Sequence, residues 1–245
     1  MGFDRFLRTV GLACVAIAAL CPALTAQAAH PELLVSTQWL ADHLNDPKVV
    51  VLQVGEDRGA YDKRHIPGAR FLSDPQYVIG HEGLMFELPP VEQLKKAFED
   101  VGVSDDTKVV IYTTEWYPTA GRAFFTLDYL GHKNTALLNG SFAQWESEHR
   151  PVSRDTPQIA KGTISPRVKE AARALLANAK AATQPDSNTT LLDARPAKRY
   201  TSGHLPGAEN IFWEETVESA KKPVFLPPDQ LKKLFASRGV ESGHK

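Results

Sequence analysis

The sequence predicts an α/β fold of two tandem domains, each a parallel sheet flanked by helices, with the second domain incomplete. Three observations predict it. The phrase Y-D-K-R-H-I-P-G-A-R at 61–70 returns as Y-T-S-G-H-L-P-G-A-E at 200–209. A second phrase follows each copy: L-P-P-V-E-Q-L-K-K-A-F-E-D-V-G-V at 88–103 and L-P-P-D-Q-L-K-K-L-F-A-S-R-G-V at 226–240. Two echoes in the same order, at nearly one spacing, mark a duplicated unit, and duplication decides architecture ahead of any local pattern. Short continuous apolar runs also alternate with helical stripes, as strands buried on both faces by helices require.

Leu33-Leu34-Val35 reads as a short strand, and Ser36 as the cap of a helix over 37–45. Val49–Val54, bounded by Asp46-Pro47 and Gly55, reads as a central strand. Arg58–Gly68 reads as a polar loop ending in a Pro-Gly turn, and Ala69–Leu72 as a strand. Pro89-Pro90 opens a helix, since proline suits the first turn. Its Leu94, Ala97, Phe98 and Val101 make one apolar stripe, and Gly102 fits the C-terminal cap. Val109–Tyr112 is a strand, Thr113–Gly121 a loop, and 122–130 a helix closed by Gly131. Ala136-Leu137-Leu138 is a strand, Asn139-Gly140 a turn, and Phe142 and Trp145 face inward from a short helix.

Residues 151–163, polar and holding Pro151 and Pro157, read as a linker between a first domain over 29–150 and a second over 164–245. In the second, Val168–Ala181 reads as helical, 182–190 as a loop and Leu191-Leu192-Asp193 as the match of Val51-Leu52-Gln53. The part of the first copy from Val109 to about Pro151 has no counterpart before Lys245. A truncated second domain is therefore expected, with exposed strand edges and low stability.

Residues 1–28 read as a signal peptide: Arg5 and Arg8, an apolar stretch over 9–20, then Ala26-Gln27-Ala28 with cleavage after Ala28. Pro22 interrupts the run, which argues against a permanent membrane span. Leu20 before Cys21 is bulky for a lipoprotein site. Export follows, with a bacterial periplasm as destination. Both cysteines, Cys14 and Cys21, fall in this segment, so the mature chain is expected to hold no thiol. Lys+Arg 28 against Asp+Glu 29 argues against nucleic acid or an anionic membrane as the main partner. The eight histidines show no metal-ligand spacing.

The phrases L-L-D-A-R-P-A-K-R-Y-T-S-G-H-L-P-G-A, Y-D-K-R-H-I-P-G-A and L-G-H-K-N-T-A-L-L-N-G-S-F-A-Q-W resemble the rhodanese family of sulfurtransferases. The resemblance covers about 33 to 245 and is specific, because separated motifs arrive in the right order. It implies a tandem thiosulfate or 3-mercaptopyruvate sulfurtransferase with a silent first domain. The second domain's cysteine would take sulfane sulfur from a small anionic donor, hold it as a persulfide, and pass it to cyanide or a thiol. It implies no metal and no organic cofactor. The nucleophile would follow a central strand, where backbone amides lower its pKa. In the first copy that position is Thr113, which cannot hold a persulfide, and Gln53 and Gly55 stand where the second copy has Asp193 and Arg195. In the second copy the position falls a few residues past Lys245. Catalysis is therefore not expected from the chain as it stands. A non-catalytic rhodanese-like binding module and a decayed remnant are the alternatives.

Arg195 is the candidate substrate contact, since a guanidinium at a strand's C-terminal end suits an anionic donor; pairing with Asp193 is the structural alternative. His65 and His204 precede Ile-Pro-Gly and Leu-Pro-Gly, and because the silent copy keeps its histidine, a turn-stabilising hydrogen bond is favoured over a catalytic base. In the loop holding Glu115, Trp116 and Tyr117, before Arg122, an anion could rest on the helix start; interdomain packing of the aromatics is favoured.

Overall fold

A computed structural model of the protein describes residues 30–81, 83–184 and 186–240. The expected signal peptide, its cysteines and Lys245 lie outside the described residues. The first copy begins with β1 (Leu34–Val35) and α1 (Thr37–His43), whose Ser36 hydroxyl accepts from the Trp39 amide at 3.0 Å. Next come β2 (Val49–Gly55), α2 (Arg58–Lys63) and β3 (Arg70–Ser73). An antiparallel hairpin, β4 (Ile79–His81) and β5 (Leu84–Glu87), leads into α3 (Val91–Asp100). β6 (Lys108–Tyr112), α4 (Pro118–Tyr129), β7 (Thr135–Leu138) and α5 (Ser141–Ser147) complete it. The five strands pair in the order β1-β7-β6-β2-β3, all parallel.

Strand alternation sends Val50, Leu52 and Val54 to one face, where they meet Leu94 and Phe98 of α3 and Leu127 of α4. Val51 goes to the other face, among Leu40, Tyr61, Phe142 and Trp145. Leu94 and Phe98 are fully buried, so truncating either to alanine costs about 2–5 kcal/mol.

The second copy repeats the first in outline: α6 (Leu176–Ala182), β8 (Leu192–Asp193), α7 (Ala197–Ser202), β9 (Glu209–Asn210) and α8 (Pro228–Ala236). β8 and β9 pair in parallel, as β2 and β3 do, and β8 has no second neighbour among the described residues. Neither α7 nor α8 buries a residue. Among the described residues no helix is long and apolar enough to cross a membrane.

Four local expectations are corrected. The stretch expected to be loop at Arg58–Gly68 begins with α2, whose start is capped by Asp57 accepting from the Ala60 amide at 2.9 Å. α4 starts at Pro118 rather than at residue 122, with proline at the first helical position. The helix expected over Val168–Ala181 is reduced to a single 3-10 turn at Glu170–Ala172 and the short α6. The segment from 151 is packed, not free: Ser153 bridges His65, and Ile164, 2% exposed, joins the core of the first copy.

Candidate functional site

The parallel sheet of the first copy brings the C-terminal ends of β2, β6 and β7 together, the usual ligand edge of an α/β fold. Thr113 follows β6 and is 2% exposed. Its amide donates to the Ser141 hydroxyl at 2.9 Å, and that hydroxyl donates back to the Thr113 carbonyl at 2.7 Å. One strand end and one helix start are thus locked together. Beneath them Tyr112 donates to Gln53 Oε1 at 2.8 Å and accepts from the Ile66 amide at 3.1 Å, and burial pushes its phenol well above the usual range.

The loop after Thr113 turns back on itself. The Glu115 amide donates to the Thr113 hydroxyl at 3.1 Å. Oε1 of Glu115 accepts from the amides of Glu56 and Asp57, both at 2.9 Å. A Cβ on Gly55 would overlap that oxygen and push the carboxylate aside, and the φ of +153 independently favours glycine there. An anion does sit beside this loop, but it is the chain's own Glu115 carboxylate, and it rests ahead of α2, not at the start of α4.

A cavity of about 350 Å³ opens beside this loop, lined by residues that include Thr113, Thr114, Lys63 and Phe142 of the first copy and Lys221 and Pro223 of the second. The strap over it is held by the Gly140 amide on the Pro223 carbonyl at 3.2 Å and the Phe225 amide on Asn139 Oδ1 at 2.9 Å. Trp116 meets Trp213 edge-on at 6.4 Å, and Tyr117 meets Phe225 at 5.9 Å. The loop aromatics pack between the copies.

In the second copy Arg195 grips Asp193 with two nitrogens, Nε on Oδ1 at 2.9 Å and an Nη on Oδ2 at 2.6 Å, and also donates to the Gly203 carbonyl at 2.9 Å. The guanidinium holds the Asp193 carboxyl below its usual range. The structure thus brings the two together while leaving the Arg195 side chain about half exposed. His65 and His204 stack on Tyr61 and Tyr200, at 4.1 and 3.8 Å between ring centres. Nδ1 of each lies 2.8 and 2.9 Å from the carbonyl of that tyrosine. His65 is fully buried, with Nε2 at 3.1 Å from the Asp155 carbonyl, which leaves it braced in a turn.

The model of the Rhodanese-like domain matches residues 36–148 and 172–240. The chain belongs to the rhodanese-like family. The two matched segments make it a tandem rhodanese. Sulfur carrier protein TtuD of Thermus thermophilus is 32% identical over 239 residues, covering 86% of this chain and 80% of that protein. The 3-mercaptopyruvate sulfurtransferase of Escherichia coli K12 is 27% identical over 227 residues, covering 84% and 79%. The crystal structure of SseA from Escherichia coli, described as showing the rhodanese fold and the catalytic mechanism of its class, superimposes with a TM-score of 0.76 at 25% identity, over 86% and 85% of the two chains. The relatives so named are a sulfur carrier protein and a sulfurtransferase, and the rhodanese fold explains the parallel sheet between helices.

Sequence reasoning placed Thr113, Asp193 and Arg195 at strand ends, where they are. It missed the Glu115 carboxylate on the Glu56 and Asp57 amides ahead of α2, and Lys63, Ser141 and Lys221 in the lining of the cavity beside it. The one available signal was Gly55 facing Arg195 in the alignment of the copies.

Proposed function

We propose that the protein serves rhodanese-type sulfur transfer from a small anionic donor, thiosulfate or 3-mercaptopyruvate, with the second copy as the catalytic half. The contrast between equivalent strand ends supports this reading. The first copy has Gly55 and an internal carboxylate, whereas the second has Arg195, a cation half exposed to solvent. In such a reaction a thiolate attacks the outer sulfur of the donor, the bond to that sulfur breaks as the donor remnant leaves, and a thiophilic acceptor removes the sulfur from the persulfide. Residues 29–245 contain no cysteine, so by themselves they are expected to transfer no sulfur, and the reaction needs a thiol that this stretch does not supply. Among the described residues β8 pairs only with β9, whereas in the first copy β2 also pairs with β6, the strand that leads to Thr113. The N-terminal pattern of residues 1–28 supports export, with the transfer reaction outside the cytoplasm.

The reading is tested by thiocyanate production from thiosulfate and cyanide. Residues 29–245 are expected to give none above buffer. The same residues joined to a segment that supplies a strand followed by a cysteine are expected to be active, and Arg195→Ala to raise the KM of that chain for the donor. Thiocyanate from residues 29–245 alone would sink the assignment of the missing thiol. A second reading, a non-catalytic module, is supported in the first copy by Glu115 filling its own anion position, and an authentic stop codon after Lys245 would favour it.

A further inference from the structure

Asn139 is the one asparagine of the chain that a glycine follows. That pair is chemically labile. No side chain on Gly140 crowds the approach of its nitrogen to the Asn139 side-chain carbonyl, so a five-membered succinimide ring can close there. In the fold the pair makes the turn between β7 and α5, with Gly140 at φ +77. Both groups that the ring would join are already engaged by the second copy. The Gly140 amide donates to the Pro223 carbonyl at 3.2 Å, and Asn139 Oδ1 accepts from the Phe225 amide at 2.9 Å. The strap that makes these bonds is closed on itself by the Val217–Phe225 bridge and by the Glu218 amide on the Val224 carbonyl at 2.8 Å. It rests on the first copy through Phe225 against Tyr117 at 5.9 Å, and through Val224, which a Cβ on Gly140 would approach to 2.9 Å. Immediately after the turn, the Ser141 hydroxyl holds the Thr113 amide and carbonyl.

We propose that Asn139 is a deamidation site gated by this strap, unreactive while Pro223 and Phe225 are docked and converted when they release. The step needs only water and base. Base removes the Gly140 amide proton, the nitrogen attacks Asn139 Cγ, the bond from Cγ to the side-chain nitrogen breaks, and ammonia leaves. Water then opens the ring at either carbonyl to give aspartate or isoaspartate, with no oxidation or reduction. In the docked state the proton to be removed is shared with Pro223, and the carbonyl to be attacked is held to Phe225, so both partners must leave first. Release of a strap held by so few bonds is a local opening that leaves the first core closed. Isoaspartate adds a carbon to the main chain at the turn that starts α5, so the strap does not regain its bonds. Conversion is thus a one-way release of the second copy from this edge of the first. It involves no thiol and no sulfur donor, so it stands independently of the transfer reaction.

The test is incubation of the folded chain in mildly alkaline buffer beside a synthetic peptide of residues 134–150, read by fragment mass as the amide-to-acid change at Asn139. Asn139 is expected to convert at least ~10-fold more slowly in the chain than in the peptide, the protection that a local opening confers. Phe225→Ala removes the aromatic contact with Tyr117 and should speed conversion at least ~5-fold. Hydrogen exchange of the Gly140 amide should rise by the same factor, because one opening exposes both groups. Asn134, exposed but followed by the β-branched Thr135, should convert slowly in every sample. Should Phe225→Ala fail to fold, urea below the main unfolding transition takes its place, and conversion in the parent chain should rise with urea. Chain and peptide converting alike, a rate unchanged by Phe225→Ala, or, where urea takes its place, a rate unchanged by urea would each overturn the proposal.

Discussion

Glu115 lies against Gly55: its Oε1 caps the two amides that follow Gly55, and it occupies the space a Cβ on Gly55 would need. Gly55 also has φ +153, a conformation that side chains disfavour. The second copy carries Arg195 at this position, and its loop to the tyrosine is one residue shorter. The two halves have therefore diverged in charge at the same strand end, an internal anion in one and a cation in the other.

This relationship predicts a coupled pair. Gly55→Ala should destabilise the chain by about 1–3 kcal/mol, from strain and overlap. In the Glu115→Ala background the overlap is gone, and the same substitution should cost about 1 kcal/mol less. Urea denaturation of the four chains of the cycle measures this. Strictly additive costs would show that Glu115 does not hold this position in solution.

The repeated phrase offers an internal control. Tyr61 donates to the Ala69 carbonyl at 2.7 Å where both residues are buried, and Tyr200 donates to the Ala208 carbonyl at 2.8 Å where the tyrosine is only half-buried. Tyr61→Phe should cost about 1–3 kcal/mol, because a buried acceptor loses its partner. Tyr200→Phe should cost under about 1 kcal/mol, because water can replace the lost hydroxyl. Equal costs in the two copies would refute the burial argument.

Much of this was legible in the sequence, and the exceptions have physical reasons. β2 and β6 are continuous apolar runs because both faces are covered, and α3 shows its stripe because Leu94, Ala97 and Phe98 share one face. α2 was illegible because it is short and buries only Tyr61, which leaves no period to detect. Ile164 was read as the start of the second copy because its place in the first core, with its amide on Glu99, joins residues far apart in sequence. The turn role of His65 was legible because the repeat supplied a second example. The Glu115 contact was not, because it closes a separation of 58 and 59 residues and leaves no local signal.

His132 predicts a pH dependence. It is buried, with Nδ1 at 2.8 Å from the Thr135 hydroxyl and Nε2 at 3.2 Å from the Ser104 carbonyl. Burial lowers its pKa from the ordinary 6.5. Above that value both folded and unfolded states are neutral here, and the full contribution is present. As pH falls below about 6.5 the unfolded chain takes up the proton first, so stability is lost down to the folded pKa, with a slope no steeper than about 1.4 kcal/mol per pH unit. The carboxyls of Glu99 and Asp105 are lowered instead, chiefly by the Lys95 hydrogen bond and the Ser165 amide respectively, and their contribution is lost only below their ordinary values of 4.5 and 3.8. Denaturant midpoints between pH 7.5 and 5 should therefore fall less in His132→Gln than in the parent chain. Identical slopes would remove His132 as the cause.

Limited proteolysis should separate the copies, and the cut should fall later than the composition of the linker suggests. The first core continues past Arg150. The Ile164 amide donates to Glu99 at 2.9 Å, and the amides of Arg167 and Lys169 donate to the carbonyls of Leu130 and Tyr129, both at 2.8 Å. Gly162 lies so close to Val103 that a side chain there would overlap the backbone. In the second copy Leu176, Leu192 and Leu205 are 68, 43 and 46% exposed, so less apolar burial opposes local opening. Trypsin should therefore cut first within 173–238, and the resistant fragment should end at Lys169 or Arg173, as read by intact mass. A fragment ending at Arg150 or Arg154 would mean that Ile164 leaves the first core in solution. A piece covering 165–245 that survives as long as 33–150 would refute the lower stability of the second copy.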